Sequence, residues 1–506
     1  MISAILSGAF LSVSLPNFFI PFAFLIGFYL FFDNLYKYST KKALIYSFLT
    51  GLIFSFLSFY WIIYAINYYG KINILISSIL FIIFSIAYSL YSFVLFGFIQ
   101  KIIFNRYGII GIFLSPFIWV FMEIFREFFP FNGFPWNLSG YMLSYINPVA
   151  QIASITSIYG VSFLVLFFSS SFFYFIKCRT KKSLSVIVLN IFIFVIIFIY
   201  GEFRINNYQD NGKPYKIAIL QGNISEELKL NPTVEINKSI IDKYINLFKQ
   251  AERFNPDLVV MPESAIPIFP FVDTPLKEYF FKNIENIKIP FISGFDNLLL
   301  NEYGDIDKIY NSLILYYENK NIKGIYNKIK LVPFGEYNPF NIGFIKELFP
   351  YLQGYDFRQG DKQNIITFKD LKIASLICFE AIFPIYVSDF GDFNLIVNIT
   401  NDGWFGRTSA PFQHFEMSRI RAIENGTYLV RAANTGISAI INPVGKPVAI
   451  SKLYTDEIIV GNIYSKPVKT IFKSYKYQIF FGFIIIFIGF LIFLETKKRK
   501  YFNLQS

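Results

Sequence analysis

Three residues in the second half of the chain have side chains suited to acyl transfer: Glu263 in VVMPESAIP, Lys328 in YNKIKLVPFGEY and Cys378 in LICFEAIFP. A thiolate attacks a carbonyl well, but the free thiol, with a pKa of ~8.5, must first lose its proton. A neighbouring carboxylate can take it. A lysine ammonium favours the thiolate and stabilises the oxyanion that attack creates. Papain-like enzymes use histidine as the base, and this chain has a single histidine, His414, in PFQHFEMSRIRAIENG. That segment reads as a helix, and a hydrogen-bonded structural histidine fits it better than a catalyst. Glu263 as base and Lys328 as cation beside Cys378 is the better-supported arrangement. Taken singly, each residue has an ordinary reading, as a helix cap, a surface charge and a buried thiol. Their placement together carries the inference.

That placement depends on strands. From Tyr215 onward, short β-branched runs are punctuated by turns: YKIAILQGN (215–223), DLVVMPE (257–263) and IPFISGFD (289–296) read as strands. The stretch 310–332 reads as a hairpin, and 371–378, 393–400, 427–434 and 437–443 complete the set. Helices are predicted near 232–253 and 411–425. Strands alternating with helices, mixed with hairpins, imply a layered α/β domain. In such sheets reactive groups gather where strands end at their carboxyl edge. Glu263 and Cys378 each follow a buried-looking strand, and Lys328 closes a probable one.

The rest of the chain is of another kind. Of 506 residues, 54% are hydrophobic, 21% aromatic and only 16% charged, with a mean hydropathy of +0.47. An ordinary soluble domain is less apolar, and these values imply a polytopic membrane protein. Residues 1–200 are almost wholly apolar, 201–477 have globular composition, and 478–494 form one more apolar run before a tail at 495–506. Eight spans are expected, at 2–15, 18–32, 43–66, 72–100, 108–128, 157–177, 184–200 and 478–494. Pro16 and Pro21 interrupt the first pair, which reads alternatively as one kinked span. With eight spans, Lys37, Lys41 and Lys42, Lys101 and Arg106, Arg179, Lys181 and Lys182, and Lys497 to Lys500 all fall on one side. The positive-inside tendency makes that side cytoplasmic and puts 201–477 outside. Lys466, Lys469, Lys473 and Lys476 run against the pattern, at the end of a long translocated domain where the rule is weak. No basic n-region or small-residue cleavage site precedes the first span, so a retained span is expected rather than a removed signal. Under this topology Cys178 and Cys378 lie on opposite sides and cannot pair, and Cys178 is expected to be inert. The net charge of +12 comes from lysines and arginines clustered at span ends, which argues for membrane orientation and against nucleic acid. No Cys/His cluster, EF-hand or phosphate-cradling glycine loop is present, so neither a metal nor a nucleotide cofactor is expected.

The segments around Glu263, Lys328 and Cys378 resemble, in order, the three catalytic motifs of the carbon–nitrogen hydrolase (nitrilase) superfamily. NDGWFG (401–406), QHFEMSRIRAIENG (413–426) and RAANTGISAI (431–440) extend the likeness. With the eight-span frame, and EIFREFFPFNGFPWNLSGY at 123–141, the layout resembles the bacterial apolipoprotein N-acyltransferase family over nearly the whole chain. The resemblance implies a membrane α-helical bundle carrying an αββα-sandwich domain on the periplasmic face of the inner membrane. It also implies ping-pong transfer of a fatty-acyl chain from a membrane phospholipid, through a thioester on Cys378, to a diacylglyceryl apolipoprotein. Glu263 would be the general base and Lys328 the oxyanion partner, with Glu336 and Glu380 as supporting glutamates. Phe379 stands where many members carry tyrosine, and Leu230 where a tryptophan is expected.

Other residues have two readings. Trp404 either packs in the core or lines the acyl pocket. Glu123 and Arg126, three apart on one helical face, form an interfacial ion pair or meet a lipid headgroup. PFNIGFIKELFPYLQGYDF (339–357), with Phe344 near its centre, is expected to dip into the bilayer as an arm or lid, the alternative being an amphipathic helix on its own domain. Phe344 and Phe379 are taken with Trp404 as candidate substrate contacts. The rival functions are a membrane-tethered amidase that delivers the acyl group to water, and a transporter. A transporter would need charged or broken helices at mid-membrane.

Overall fold

The computed structural model describes residues 1–317, 321–339 and 356–503. The expected arm at 339–357, with Phe344, lies almost wholly outside the described residues. By packing, the chain divides into two compact units. One comprises Met1–Tyr60, Ser78–Asn207 and Lys469–Ser506; the other comprises Trp61–Ser77 and Tyr208–Val468.

The first unit is helical. Among the described residues, five helical stretches are long and apolar enough to cross a membrane: Thr40–Phe59, Ile74–Phe125, Ala153–Cys178, Lys181–Asn206 and Ile471–Lys498. The eight expected segments and these five differ at two places. Ile2–Val13 and Ala23–Lys37 have only 12 and 15 residues, and a 12-residue helix is about 18 Å long, short of a ~30 Å hydrocarbon core. These two are separate helices, not one kinked helix, because they pack side by side: Ser7 Oγ donates to Gly27 O at 2.7 Å and Ser3 Oγ to Asn34 Oδ1 at 2.9 Å. The second difference is that 72–100 and 108–128 join into one 52-residue run. At 1.5 Å per residue such a run would extend about 78 Å, but Gly108 at φ +63 breaks it. A 3₁₀ segment, Gly108–Leu114, then leads into Ser115–Phe125. Glu123 and Arg126 pair loosely at 3.9 Å. The closer partners of Glu123 are Trp119 Nε1 at 2.9 Å and the Ser139 N–H at 2.7 Å.

The second unit is two stacked six-stranded sheets. In chain order the strands are β1 Pro214–Gln221, β2 Leu258–Val260, β3 Phe291–Leu300, β4 Ile306–Tyr316, β5 Ile322–Asn327, β6 Ile365–Phe368, β7 Leu371–Ile377, β8 Leu395–Thr400, β9 Tyr428–Ala433, β10 Ala439–Ile441, β11 Pro447–Ile450 and β12 Glu457–Tyr464. The first sheet runs β12-β1-β2-β3-β4-β5 and the second β11-β10-β9-β8-β7-β6. In each, three adjacent strands are parallel, β1–β2–β3 and β7–β8–β9.

The sequence alternates to suit this stacking. Ile217 and Ile219, Leu258 and Val260, and Leu313 and Leu315 join a core shared with Ile373, Ile396 and Val430 of the second sheet. Their neighbours Ala218, Leu220, Val259 and Ile314 face the other way, onto the helices Val234–Glu252 and Pro275–Asn283. Successive side chains of a strand point to opposite faces. A stretch of strand covered on both faces is therefore apolar at successive positions, as 217–220, 258–260 and 313–315 are. The helix Ala410–Asn425 packs against β9 and the Cys378–Ile382 turn.

Three strands (β6, β11, β12) and the helix Pro275–Asn283 are additions to the sequence reading, and β3 extends past Asp296 to Leu300. The expected strand 257–263 is shorter than predicted. Pro262 has no N–H to donate, although Met261 N still bonds Ile292 O at 2.8 Å and Gly294 N bonds Pro262 O at 3.1 Å.

Candidate active site

β2, β5 and β7 end at one edge of the sandwich and deliver the three expected residues there. Lys328 directly follows β5, Cys378 directly follows β7, and Glu263 stands three residues beyond β2. All three are buried. Lys328 Nζ lies 3.5 Å from Glu263 Oε1 and 2.9 Å from Glu336 Oε1. Asn311 of β4 stands between the same two carboxylates, donating Nδ2–H to Glu263 Oε1 at 2.7 Å and to Glu336 Oε1 at 2.9 Å. The Asn401 N–H reaches Glu263 Oε2 at 2.9 Å, and the Val332 N–H reaches Glu336 Oε2 at 2.8 Å. One lysine and one amide thus hold two carboxylates that would otherwise repel each other.

Burial works against the Lys328 charge, but Glu336, Glu263 and the Cys378 sulfur together outweigh it and hold the pKa above its ordinary value. Lys328 stays an ammonium at neutral pH. Burial pushes the Cys378 thiol up, and Glu263 pushes it further, against the pull of Lys328. At rest Cys378 is therefore a neutral thiol, and any attack by it on a carbonyl would require a base to take its proton at that moment. A side-chain hydrogen bond joins it to Thr400. Its backbone is left-handed, at φ +50.

Glu380 is fully buried. Its Oε1 accepts from the N–H groups of Ile329 and Lys330 at 2.8 and 3.1 Å and from the hydroxyls of Tyr326 and Tyr386 at 2.7 and 2.9 Å. Its Oε2 accepts the Ile377 N–H at 2.8 Å. Phe379 is buried edge-on against Phe383, with ring centroids 5.1 Å apart. Trp404 is half-buried on the 3₁₀ turn Asp402–Phe405. On that turn Asp402 is held by Arg431 Nη2 at 2.7 Å and lies 2.9 Å from His414 Nδ1. His414 is buried and hydrogen-bonded, as its sequence setting predicts.

The structure brings the expected Glu263, Lys328 and Glu336 into contact and places Cys378 at the same sheet edge, while Asn311 and the Asp402–Arg431 pair are additions to the sequence reading. Asp402 lay inside a quoted motif. Asn311 carried no local signal, since its neighbours are simply those of a hairpin strand.

A thiol, a lysine and paired carboxylates at the edge of two stacked sheets define a site built for attack on a carbonyl. The profile of the carbon–nitrogen hydrolase family matches residues 216–471, and that of the apolipoprotein N-acyltransferase N-terminal domain matches residues 7–171. The apolipoprotein N-acyltransferase of Aquifex aeolicus is 33% identical over 430 residues, 85% of this chain and 92% of that protein. That of Geobacter metallireducens is 32% identical over 91% of this chain and 88% of that protein. That of Rickettsia prowazekii is 35% identical over 67% of each. This chain belongs to the apolipoprotein N-acyltransferase family. It is a membrane protein and an acyl-transferring enzyme that carries a nitrilase-like α/β sandwich.

Proposed function

We propose that the enzyme moves a fatty-acyl chain from a membrane phospholipid to the α-amino group of the N-terminal diacylglyceryl-cysteine of an apolipoprotein, by ping-pong transfer through Cys378. The observation that carries the reading is Lys328 held between Glu263 and Glu336 beside a buried, neutral thiol. In the first half-reaction the Cys378 proton passes to Glu263 as Sγ bonds the ester carbon. Lys328 neutralises the oxyanion. The ester C–O bond then breaks, and the lysophospholipid leaves with the proton returned by Glu263. In the second, the lipoprotein amine attacks the thioester and gives a proton to Glu263. The C–S bond breaks, and Cys378 regains a proton. Glu336 positions Lys328, and Glu380 ties the lysine loop to the cysteine loop. Phe379, Trp404 and Phe344 are assigned to the acyl-chain contacts.

Both substrates are lipid-anchored, which accounts for joining a nitrilase-like domain to a bundle of apolar helices. The lysine-rich loops support an inner-membrane orientation with 201–477 on the periplasmic side and 495–506 in the cytoplasm.

Intact-mass measurement of the protein incubated with phospholipid vesicles tests the reading, with Cys378→Ser as control. The expected result is one fatty-acyl adduct on Cys378, discharged by a diacylated lipopeptide. A folded protein that hydrolyses small amides and never carries the adduct is instead a membrane-tethered amidase.

A further inference from the structure

The chain's one histidine is fully buried directly behind the nucleophile and has no part in the proton transfers above. His414 Nε2 lies 3.1 Å from the backbone carbonyl oxygen of Cys378. Its Nδ1 lies 2.9 Å from Asp402 Oδ1 and 3.1 Å from Arg431 Nη2. Because a carbonyl only accepts, Nε2 carries a proton. Arg431 is the hub that fixes the ring's other side. It donates to Asp402 Oδ2 at 2.7 Å and to Ser418 Oγ at 3.0 Å, and it also holds the Asn398 side-chain oxygen. Asn398 reaches the Cys378 carbonyl only at 3.5 Å, so His414 makes the shorter of these two bonds to it.

That carbonyl belongs to a residue with φ +50, a left-handed conformation that side-chain-bearing L residues avoid unless the surroundings hold them there. A change of the backbone torsions at Cys378 moves its Cα–Cβ bond, and with it the thiol, relative to Glu263 and Lys328. We infer that His414 is a positioning residue for the nucleophile: its Nε2–H clamps the Cys378 carbonyl in the left-handed turn, and Asp402 and Arg431 lock the imidazole that does so. Burial, with the Arg431 charge beside it, lowers the His414 pKa against the pull of Asp402. The clamp itself uses the Nε2 proton, and Nδ1 lies within hydrogen-bonding distance of both Asp402 and Arg431. The inference deepens the thioester reading and rests on Cys378 being the nucleophile.

Single-turnover acylation of Cys378 from phosphatidylglycerol–phosphatidylethanolamine vesicles, followed by intact mass in the full-length enzyme, tests it. Iodoacetamide alkylation of Cys378 is measured alongside in a Cys178→Ser background. His414→Ala is expected to slow acylation about 100-fold, the scale of an ångström's misplacement, with the half-saturating lipid concentration changed less than about threefold. His414→Gln places an amide N–H near the Nε2 position and is expected to regain about tenfold or more. His414→Asn, too short to reach, is not. Equal rates for Gln and Asn, or a wild-type rate for folded His414→Ala, overturn the clamp. If His414→Ala does not fold, the contrast between Gln and Asn decides alone. If the wild type alkylates but never acylates, the proposed function fails, and the alkylation rates of the same variants still decide the clamp.

Discussion

Glu380, two residues beyond Cys378, accepts the backbone N–H of Ile329, one residue beyond Lys328, at 2.8 Å. Its other oxygen accepts the N–H of Ile377, one residue before Cys378, also at 2.8 Å. A single buried carboxylate therefore fastens the end of β5 in one sheet to the end of β7 in the other. Glu380→Gln turns one of these acceptors into a donor facing an N–H. Leaving that group unsatisfied costs about 1–3 kcal/mol, and the resulting shift of Lys328 against Cys378 should slow acylation about 100-fold. Thermal unfolding and the rate of adduct formation measure the two effects separately.

The buried thiol makes a pH prediction. Burial first, then Glu263, raise the Cys378 pKa above its ordinary value, so alkylation by iodoacetamide should climb about tenfold per pH unit from about pH 7 to 10 with no plateau. A levelling near neutrality would mean a preformed thiolate.

Stability follows from the same shift. A group whose folded pKa exceeds its unfolded value contributes stability that is full below the unfolded pKa, ~8.5 for cysteine, and is lost as pH rises toward the folded one. The wild type should lose up to ~1.4 kcal/mol per pH unit above that point, and Cys378→Ala should lose less. Lys328 is also raised, but its loss begins only beyond the unfolded lysine value of ~10.4. Parallel denaturation profiles of the two proteins from about pH 8.5 to 10 would refute the assignment.

Gly294 of β3 lies under Glu263. A Cβ there would sit 2.6 Å from Glu263 Cα and 2.7 Å from Ser264 N. Both are backbone atoms, which cannot swing aside as a side chain can. Gly294→Ala should therefore displace Glu263 and slow acylation about 100-fold.

Asn311→Asp replaces the donor between Glu263 and Glu336 with a third carboxylate. Like charges at this spacing cannot all ionise, so Lys328 is left to hold the group alone. Adduct formation should fall more than about 100-fold at pH 7, while Asn311→Ser, which keeps a donor, should fall less.

The sequence by itself determined the division into apolar and globular parts, the strands covered on both faces, and the residues placed where β5 and β7 end. Each of these is local. Mostly apolar runs report burial on both sides, and a cysteine directly after such a run stands at a sheet edge whatever the topology, while Lys328 closes the second strand of a hairpin. Three of the four edge strands, β6, β11 and β12, escaped the reading: β11, for one, alternates between half-buried and exposed residues and has only four, too short a pattern to separate from a loop. What joins Asn311 to Glu263 across 48 residues, or Arg431 to Asp402 across 29, is the pairing of β2, β3 and β4 in one sheet and of β8 with β9 in the other. Such partners are chosen by which strands lie side by side and in what register. No periodicity along the chain records that choice, so only the tertiary structure decided which carboxylates share a lysine and that the histidine stands behind the thiol.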